Sequence, residues 1–281
     1  MLDKYRKIQI DFAEFDSLYI PLDVPVILEI NWRGVSYEFL IKLKSGEKNM
    51  LILGSGGGAN MEMPNGPPYF QRHSWMDDFK DSVIYYNDPT LYLGKLPLGW
   101  GQGTAERFYL EEIALILLKL FKKIQYETKD VVFYGSSGGG FMSMILAGYI
   151  RGSKALVNNP QTCLTRWLKT PVQSVFNLSY QGLTTEEVIN RFGNRINVVQ
   201  FFKSRKYVPE IYYLQNGACE FDVTNHLIPF LDELQHMDEK YEVKNVKIDL
   251  YYNKKMGHAA LGKPETVLYT QKIRENESAL Y

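Results

Sequence analysis

Residues 135–139 read Gly-Ser-Ser-Gly-Gly and fit the pattern G-x-S-x-G. Four β-prone residues, Val131 to Tyr134, come before it, and an apolar run beginning at Phe141 follows. A hairpin needs two turn residues and a helix start needs one cap, so four glycines and two serines in residues 135–140 exceed both needs. Between a strand and a helix, the pattern places Ser137 on a tight, strained turn above the carboxyl edge of a sheet. The glycines two positions either side remove side chains that would collide with strand and helix. The Gly138 amide points at the same spot, helped by the partial positive charge of the helix N-terminus. The chemistry is nucleophilic acyl transfer through a serine ester. A turn that only packs closely, or cradles a phosphate, is the plainer alternative. No lysine follows the glycines, which excludes a Walker loop.

A serine hydroxyl needs a base. Sheets carrying such an elbow order their partners as serine, acid, histidine along the chain. Of four histidines, only His258, in a loop after the last strand-like run, occupies the third slot. His73 precedes Ser137 and, with Arg72 and Trp75, is a candidate for substrate contact. His226 follows Asp222 by four residues at the start of a helix and either contacts substrate or caps that helix. His236 lies among charges and reads as solvated. The acid slot holds Glu220 and Asp222, with Asp222 preferred because it begins the turn into the helix.

A second glycine cluster, "LILGSGGGAN", follows an earlier strand. Gly54, Gly56 and Ala59 formally match a dinucleotide fingerprint. That fingerprint requires a helix to open there, and Pro64, Pro67 and Pro68 argue against one. The loop after this strand fits better as the source of the second oxyanion amide, from Gly56 or Gly57. Trp100, between glycines in "LYLGKLPLGWGQGT", is a further candidate for ligand contact, by stacking on a sugar ring; packing is the alternative.

These residues need a scaffold. "SLYIPL", "PVILEINW", "VSYEFLIKLK", "NMLILG" and "DSVIYYND" read as short strands. A helix over "TAERFYLEEIALILLKLFKKIQ" follows, with Thr104 as its cap and a stripe at Leu110, Ile113, Leu117 and Leu120. Strands at "VVFYG", "KALVNN", "PEIYYLQN" and "VKIDLYY" alternate with helices at "GGFMSMILAGYI", "TNHLIPFLDELQHMDEKY" and "KPETVLYTQKIREN". This alternation predicts a mostly parallel sheet covered on both faces, with antiparallel N-terminal strands. Residues 161–207 break the rhythm and read as a helical, lid-like insertion. The expectation is one domain, 1–281, carrying that insertion.

Thirty-two basic and thirty-two acidic residues cancel, which offers no electrostatic case for nucleic acid. No apolar run is long enough to span a bilayer, and the N-terminal stretch lacks the apolar core of a signal peptide. Cys163 and Cys219 form neither a disulfide framework nor a metal-ligand spacing. The expectation is a cytoplasmic enzyme without a metal. Twenty tyrosines and a 14% aromatic share are compatible with a carbohydrate-facing cleft, though also with ordinary core composition.

"YGSSGGGFMSMILA", "VNNPQT", "FDVTNHLIPFLDEL" and "MGHAALGKPE" together resemble the α/β-hydrolase-fold O-acetyltransferases that modify bacterial capsular polysaccharide, of the serogroup A meningococcal type. The resemblance runs over roughly residues 130 to 265; the first hundred residues are not matched. It implies an α/β-hydrolase fold with Ser137 as nucleophile, His258 as base and Asp222 as its orienter. It also implies acetyl-CoA as acyl donor, a carbohydrate hydroxyl as acceptor and no permanently bound cofactor. For Asn159-Pro160-Gln161 it implies only a position at the sheet edge. The oxyanion loop is richer in glycine than that family's, which leaves a carboxylesterase or thioesterase open.

Overall fold

The computed structural model describes residues 2–57 and 66–275. Ala59 and Pro64, invoked above, lie outside them. In chain order the elements are β1 (Arg6–Asp11), β2 (Val26–Trp32), β3 (Val35–Lys42), β4 (Met50–Gly54), β5 (Ser82–Tyr86), α1 (Tyr109–Ile124), β6 (Val131–Ser137), α2 (Gly138–Tyr149) and β7 (Lys154–Pro160). Then come α3 (Lys169–Ser179), α4 (Thr185–Ile196), α5 (Val198–Arg205), β8 (Tyr207–Val208) and β9 (Glu210–Asn216). Last are α6 (Glu220–Asp222), a π turn (Val223–Leu227), α7 (Ile228–Leu234), β10 (Glu242–Val243), β11 (Val246–Tyr251) and α8 (Lys263–Arg274).

Nine strands form one sheet in the order β1-β2-β3-β5-β4-β6-β7-β9-β11. β3 pairs antiparallel with both β2 and β5, and every other pairing is parallel. The antiparallel region expected at the N-terminus is therefore a single reversed strand. The middles of the central strands are continuous apolar runs, such as Leu51–Leu53 and Val83–Tyr86, because both faces are covered. Alternation sorts their side chains. Met50, Ile52, Ile84 and Tyr86 join the larger core with α1, α2 and α5. Leu51, Leu53, Val83 and Tyr85 join the smaller one with Phe70, Phe79 and Ile273. Helix α2 is apolar all round, and Gly138 through Gly148 are all buried, as a helix without a polar face requires.

Two local readings are corrected. "SLYIPL" is not a strand: Phe12–Ser17 is a 3₁₀ helix, and the segment after it has only an isolated bridge from Leu22 to Leu43. Leu18 and Ile20 are buried and Tyr19 exposed, so the alternation is real, but no ladder forms there. The N-terminal strand is Arg6–Asp11 instead, whose weak pattern is rescued by its pairing with β2. Thr104 does not cap α1. It closes a turn with Arg107 through reciprocal backbone hydrogen bonds, and the helix starts at Tyr109. The predicted stripe Leu110, Ile113, Leu117 and Leu120 is buried.

Residues 161–207 fold as α3, α4 and α5 plus a two-residue strand. Thr184 and Glu187 form a capping box on α4, and Gly148 of α2 lies against Phe201 of α5. Among the described residues no helix is long and apolar enough to cross a membrane.

Candidate active site

The carboxyl ends of β4, β6, β7 and β9 converge on Ser137. This residue ends β6 and precedes the first residue of α2, with φ 55° and ψ −125°. A non-glycine residue held there stores about 1–3 kcal/mol of strain, which the surrounding packing must sustain. The elbow is closed from both sides. A Cβ on Gly135 would lie 2.2 Å from the Gly139 carbonyl, and one on Gly139 would lie 2.8 Å from the Gly54 carbonyl oxygen. Gly139 thus lets the turn approach the end of β4, where the second glycine cluster begins.

Asp222 and His258 meet. Both carboxylate oxygens of Asp222 lie 2.8 Å from His258 Nδ1. Asp222 is fully buried, whereas Glu220 is exposed. A carboxylate only accepts, so Nδ1 carries a proton toward Asp222, and Nε2 is the ring nitrogen turned away from that pair. Nε2 is buried and has no hydrogen-bond partner among the described residues, so Ser137 and His258 are not hydrogen-bonded to each other.

The loop bearing His258 is held by three buried asparagines: Asn158 and Asn216, which the sequence did not single out, and Asn159, for which the resemblance implied only a sheet-edge position. Asn216, at the end of β9, donates to the Asn253 and Gly257 carbonyls at 2.8 and 2.9 Å and accepts from the Asn253 amide. Asn159, at the end of β7, donates to the His258 and Ala259 carbonyls at 3.2 and 2.9 Å. Asn158 accepts from the Leu261 amide at 2.6 Å. A side-chain amide supplies donors and an acceptor together, which suits it to pinning a loop of mixed backbone groups. "VNNP" signals a strand end; what its asparagines grip depends on where the C-terminal loop lands.

Gln161, for which the resemblance implied only a position at the sheet edge, contacts Ser137 directly. Its Nε2 donates to Ser137 Oγ at 3.0 Å, its backbone amide donates to the Ser137 carbonyl at 3.1 Å, and its Oε1 accepts from Trp100 Nε1. Trp100 is therefore corrected. It is 0% exposed and its indole is engaged by Gln161, so it presents no face to a ligand. The tryptophan that reaches His258 is Trp167, after the short turn Leu164–Arg166, with its ring 4.8 Å from that of His258 and 5.8 Å from that of His226.

His226 sits on the π turn and is fully buried. Its Nδ1 accepts from the Thr162 amide at 3.3 Å, and its Nε2 has no partner among the described residues. Burial pushes its pKa down to about 4, with His258 and Arg166 adding to the effect and Asp222 opposing it. His73 bonds the Phe70 carbonyl and meets Tyr5 edge-on. Its neighbour Arg72 reaches the residue before Ser137, donating to Ser136 Oγ at 2.8 Å.

Of the expected oxyanion donors, Gly138 opens α2 directly after Ser137. Gly56 is adjacent: a Cβ there would lie 3.7 Å from Ser137 Cβ. Its amide donates at 3.0 Å to Gln71 Oε1, a carbonyl oxygen that also accepts from Arg72 at 3.1 Å. Gly57 is exposed. A separate cavity of about 400 Å³ opens at the amino ends of the strands, lined in part by Asp81, Asp130, Glu210 and Arg274, at the opposite edge of the sheet from Ser137.

No protein-family model and no curated protein matches the sequence. Solved structures do match the fold. The capsule O-acetyltransferase of Neisseria meningitidis serogroup A superposes with a TM-score of 0.61 at 17% identity, covering 88% of this chain and 96% of that one. A mutant of it solved with CoA gives 0.62 at 16%, covering 88% and 94%. Acetyl xylan esterase 1 from a Thermoanaerobacterium species gives 0.58 at 16%, covering 93% and 86%. An S-formylglutathione hydrolase from Agrobacterium tumefaciens gives 0.60 at 12%, covering 93% and 98%. The chain has the α/β-hydrolase fold.

Proposed function

We propose that the chain is a serine acyltransferase that moves an acetyl group from acetyl-CoA to a hydroxyl of a bacterial surface or capsular polysaccharide, acting in the cytoplasm. The observation that carries the reading is the buried Asp222 carboxylate closing on His258 Nδ1 at the sheet edge that holds the strained Ser137. That pairing supports the reading because it would orient His258 so that Nε2 can accept a proton.

In the first half-reaction Ser137 Oγ attacks the thioester carbonyl and passes its proton to His258 Nε2. The Gly138 amide and one from the Gly56–Gly57 loop receive the oxyanion, with the Gly56 amide exchanging Gln71 Oε1 for the substrate oxygen. Collapse breaks the carbon–sulfur bond and the thiolate takes the proton from His258. In the second half-reaction a sugar hydroxyl gives its proton to His258 and attacks the acetyl ester, and Ser137 leaves with the proton returned. The likeness to a capsule O-acetyltransferase solved with CoA supports a thioester donor and a carbohydrate acceptor. The same groups serve hydrolysis when water is the acceptor, and the esterase and the glutathione-thioester hydrolase share the fold equally well.

The test is thiol release from acetyl-CoA by the purified protein, with and without capsule-type oligosaccharides, together with mass spectrometry of the peptide bearing Ser137. An acetyl adduct on Ser137 and faster thiol release with a carbohydrate are expected. Release that no carbohydrate accelerates, alongside hydrolysis of small acetyl esters, replaces the transferase with an esterase. Retention of more than a few per cent of activity by Ser137→Ala removes Ser137 as nucleophile.

A further inference from the structure

We propose that Gln161 is a catalytic residue. Its side-chain amide holds Ser137 Oγ and stabilises the charge that develops there, and Trp100 locks it in the donating orientation. The inference rests on Ser137 being the nucleophile of the preceding reading.

An amide side chain can flip, and the flip decides whether the serine is offered a donor or an acceptor. Here the indole settles it. Trp100 Nε1 only donates, so the group facing it must be the carbonyl Oε1, and Nε2 is turned onto Ser137 Oγ at 3.0 Å. Gln161 and Trp100 are both fully buried, so no solvent competes for either contact. The Trp100 loop is itself anchored: buried Asp88 accepts from the Gly101 and Thr90 amides, both at 2.9 Å. The Gln161 backbone is tied to the Ser137 carbonyl, which fixes the span between the two residues.

An Oγ that accepts from Gln161 is left with its own proton to donate elsewhere, and His258 Nε2, without a partner among the described residues, is an acceptor at this edge of the sheet. During attack the O–H bond breaks toward that nitrogen, the Oγ electron pair forms the bond to the acyl carbon, and the Gln161 N–H remains on the oxygen throughout. When the acyl–oxygen bond breaks in the second half-reaction, the pair returns to an oxygen that already has a donor. Gln161 thus lowers the cost of both making and expelling the serine oxyanion.

The experiment measures the rate at which a fluorophosphonate labels Ser137, which requires no knowledge of the natural substrate. Gln161→Met keeps the volume and removes the donor. Labelling is expected to slow roughly a hundredfold at saturating probe, the loss typical of removing one oxyanion donor, with the half-saturating probe concentration little changed. Trp100→Phe leaves Gln161 free to flip and is expected to slow labelling by a smaller factor. The double variant should be no slower than Gln161→Met alone, because both act through one contact. The idea is overturned if Gln161→Met labels within about threefold of the parent, or if the two losses multiply. Should Gln161→Met fail to fold, Trp100→Phe decides: a rate equal to the parent's overturns it. A parent that labels at Ser137 yet transfers no acetyl group refutes only the acyltransferase reading, whereas a parent that never labels removes both.

Discussion

Replacing His226 by Asn should flatten the acid limb of the protein's stability. The imidazole is fully buried, and its pKa lies near 4 instead of the ordinary value close to 6.5. Between those values the unfolded chain takes up a proton at this site that the folded protein refuses. Unfolding is therefore favoured progressively as pH falls, and the neutral-histidine contribution is intact only above about pH 6.5. Integrating from pH 7 to pH 5 gives about 2 kcal/mol of lost stability from this one group. The titratable and charged groups around it are Asp222, which resists the shift, and His258 and Arg166, which reinforce it. Asn can still accept from the Thr162 amide, which His226 Nδ1 does at 3.3 Å, but it cannot titrate. The assay is urea unfolding of parent and variant at both pH values. The variant will be less stable at pH 7, because it leaves space beside Trp167. The quantity that matters is the difference of differences, in which that packing loss cancels. The parent should lose about 2 kcal/mol more than the variant between pH 7 and pH 5. Equal losses would refute the reasoning, for they would mean that His226 titrates alike in the folded and unfolded states.

Further outcomes are expected at the elbow and its partners. Gly139→Ala should destabilise by about 1–3 kcal/mol in thermal unfolding, since the added methyl meets the Gly54 backbone at 2.8 Å and neither the first turn of α2 nor the end of β4 can retreat. Asp222→Asn should lower turnover by up to about 10⁴ by losing the tautomer, whereas the exposed Glu220 should tolerate Gln with little change in rate. His258→Ala should abolish fluorophosphonate labelling at Ser137, while Trp100→Phe should only slow it; complete loss in the latter would mean that Trp100 holds more of the fold than its link to Gln161. Asn216→Ala should lower kcat more than it raises KM, because it releases the Asn253 and Gly257 carbonyls that seat the His258 loop.

The sequence by itself determined the parts whose physics is local. A run of β-prone residues, a glycine-flanked serine and an apolar helix specify a strained turn, because only glycine at 135 and 139 lets strand, turn and helix approach so closely. Chain order pointed to His258, and the turn into a helix pointed to Asp222 rather than Glu220. Tertiary structure decided what depends on neighbours far apart in the chain. Trp100 looked like a loop residue between glycines, yet those glycines let the chain fold inward, and the indole ends on Gln161, sixty-one positions away. Asn158, Asn159 and Asn216 have no local signature, since an amide becomes a clamp only when a loop from the C-terminal region lands on it. "SLYIPL" had the alternation of a strand but no partner to pair with, whereas the polar stretch at Arg6–Asp11 had a partner in β2. A hydrogen-bonded ladder and a side-chain amide both take their meaning from the group opposite, and a single stretch of sequence does not name that group.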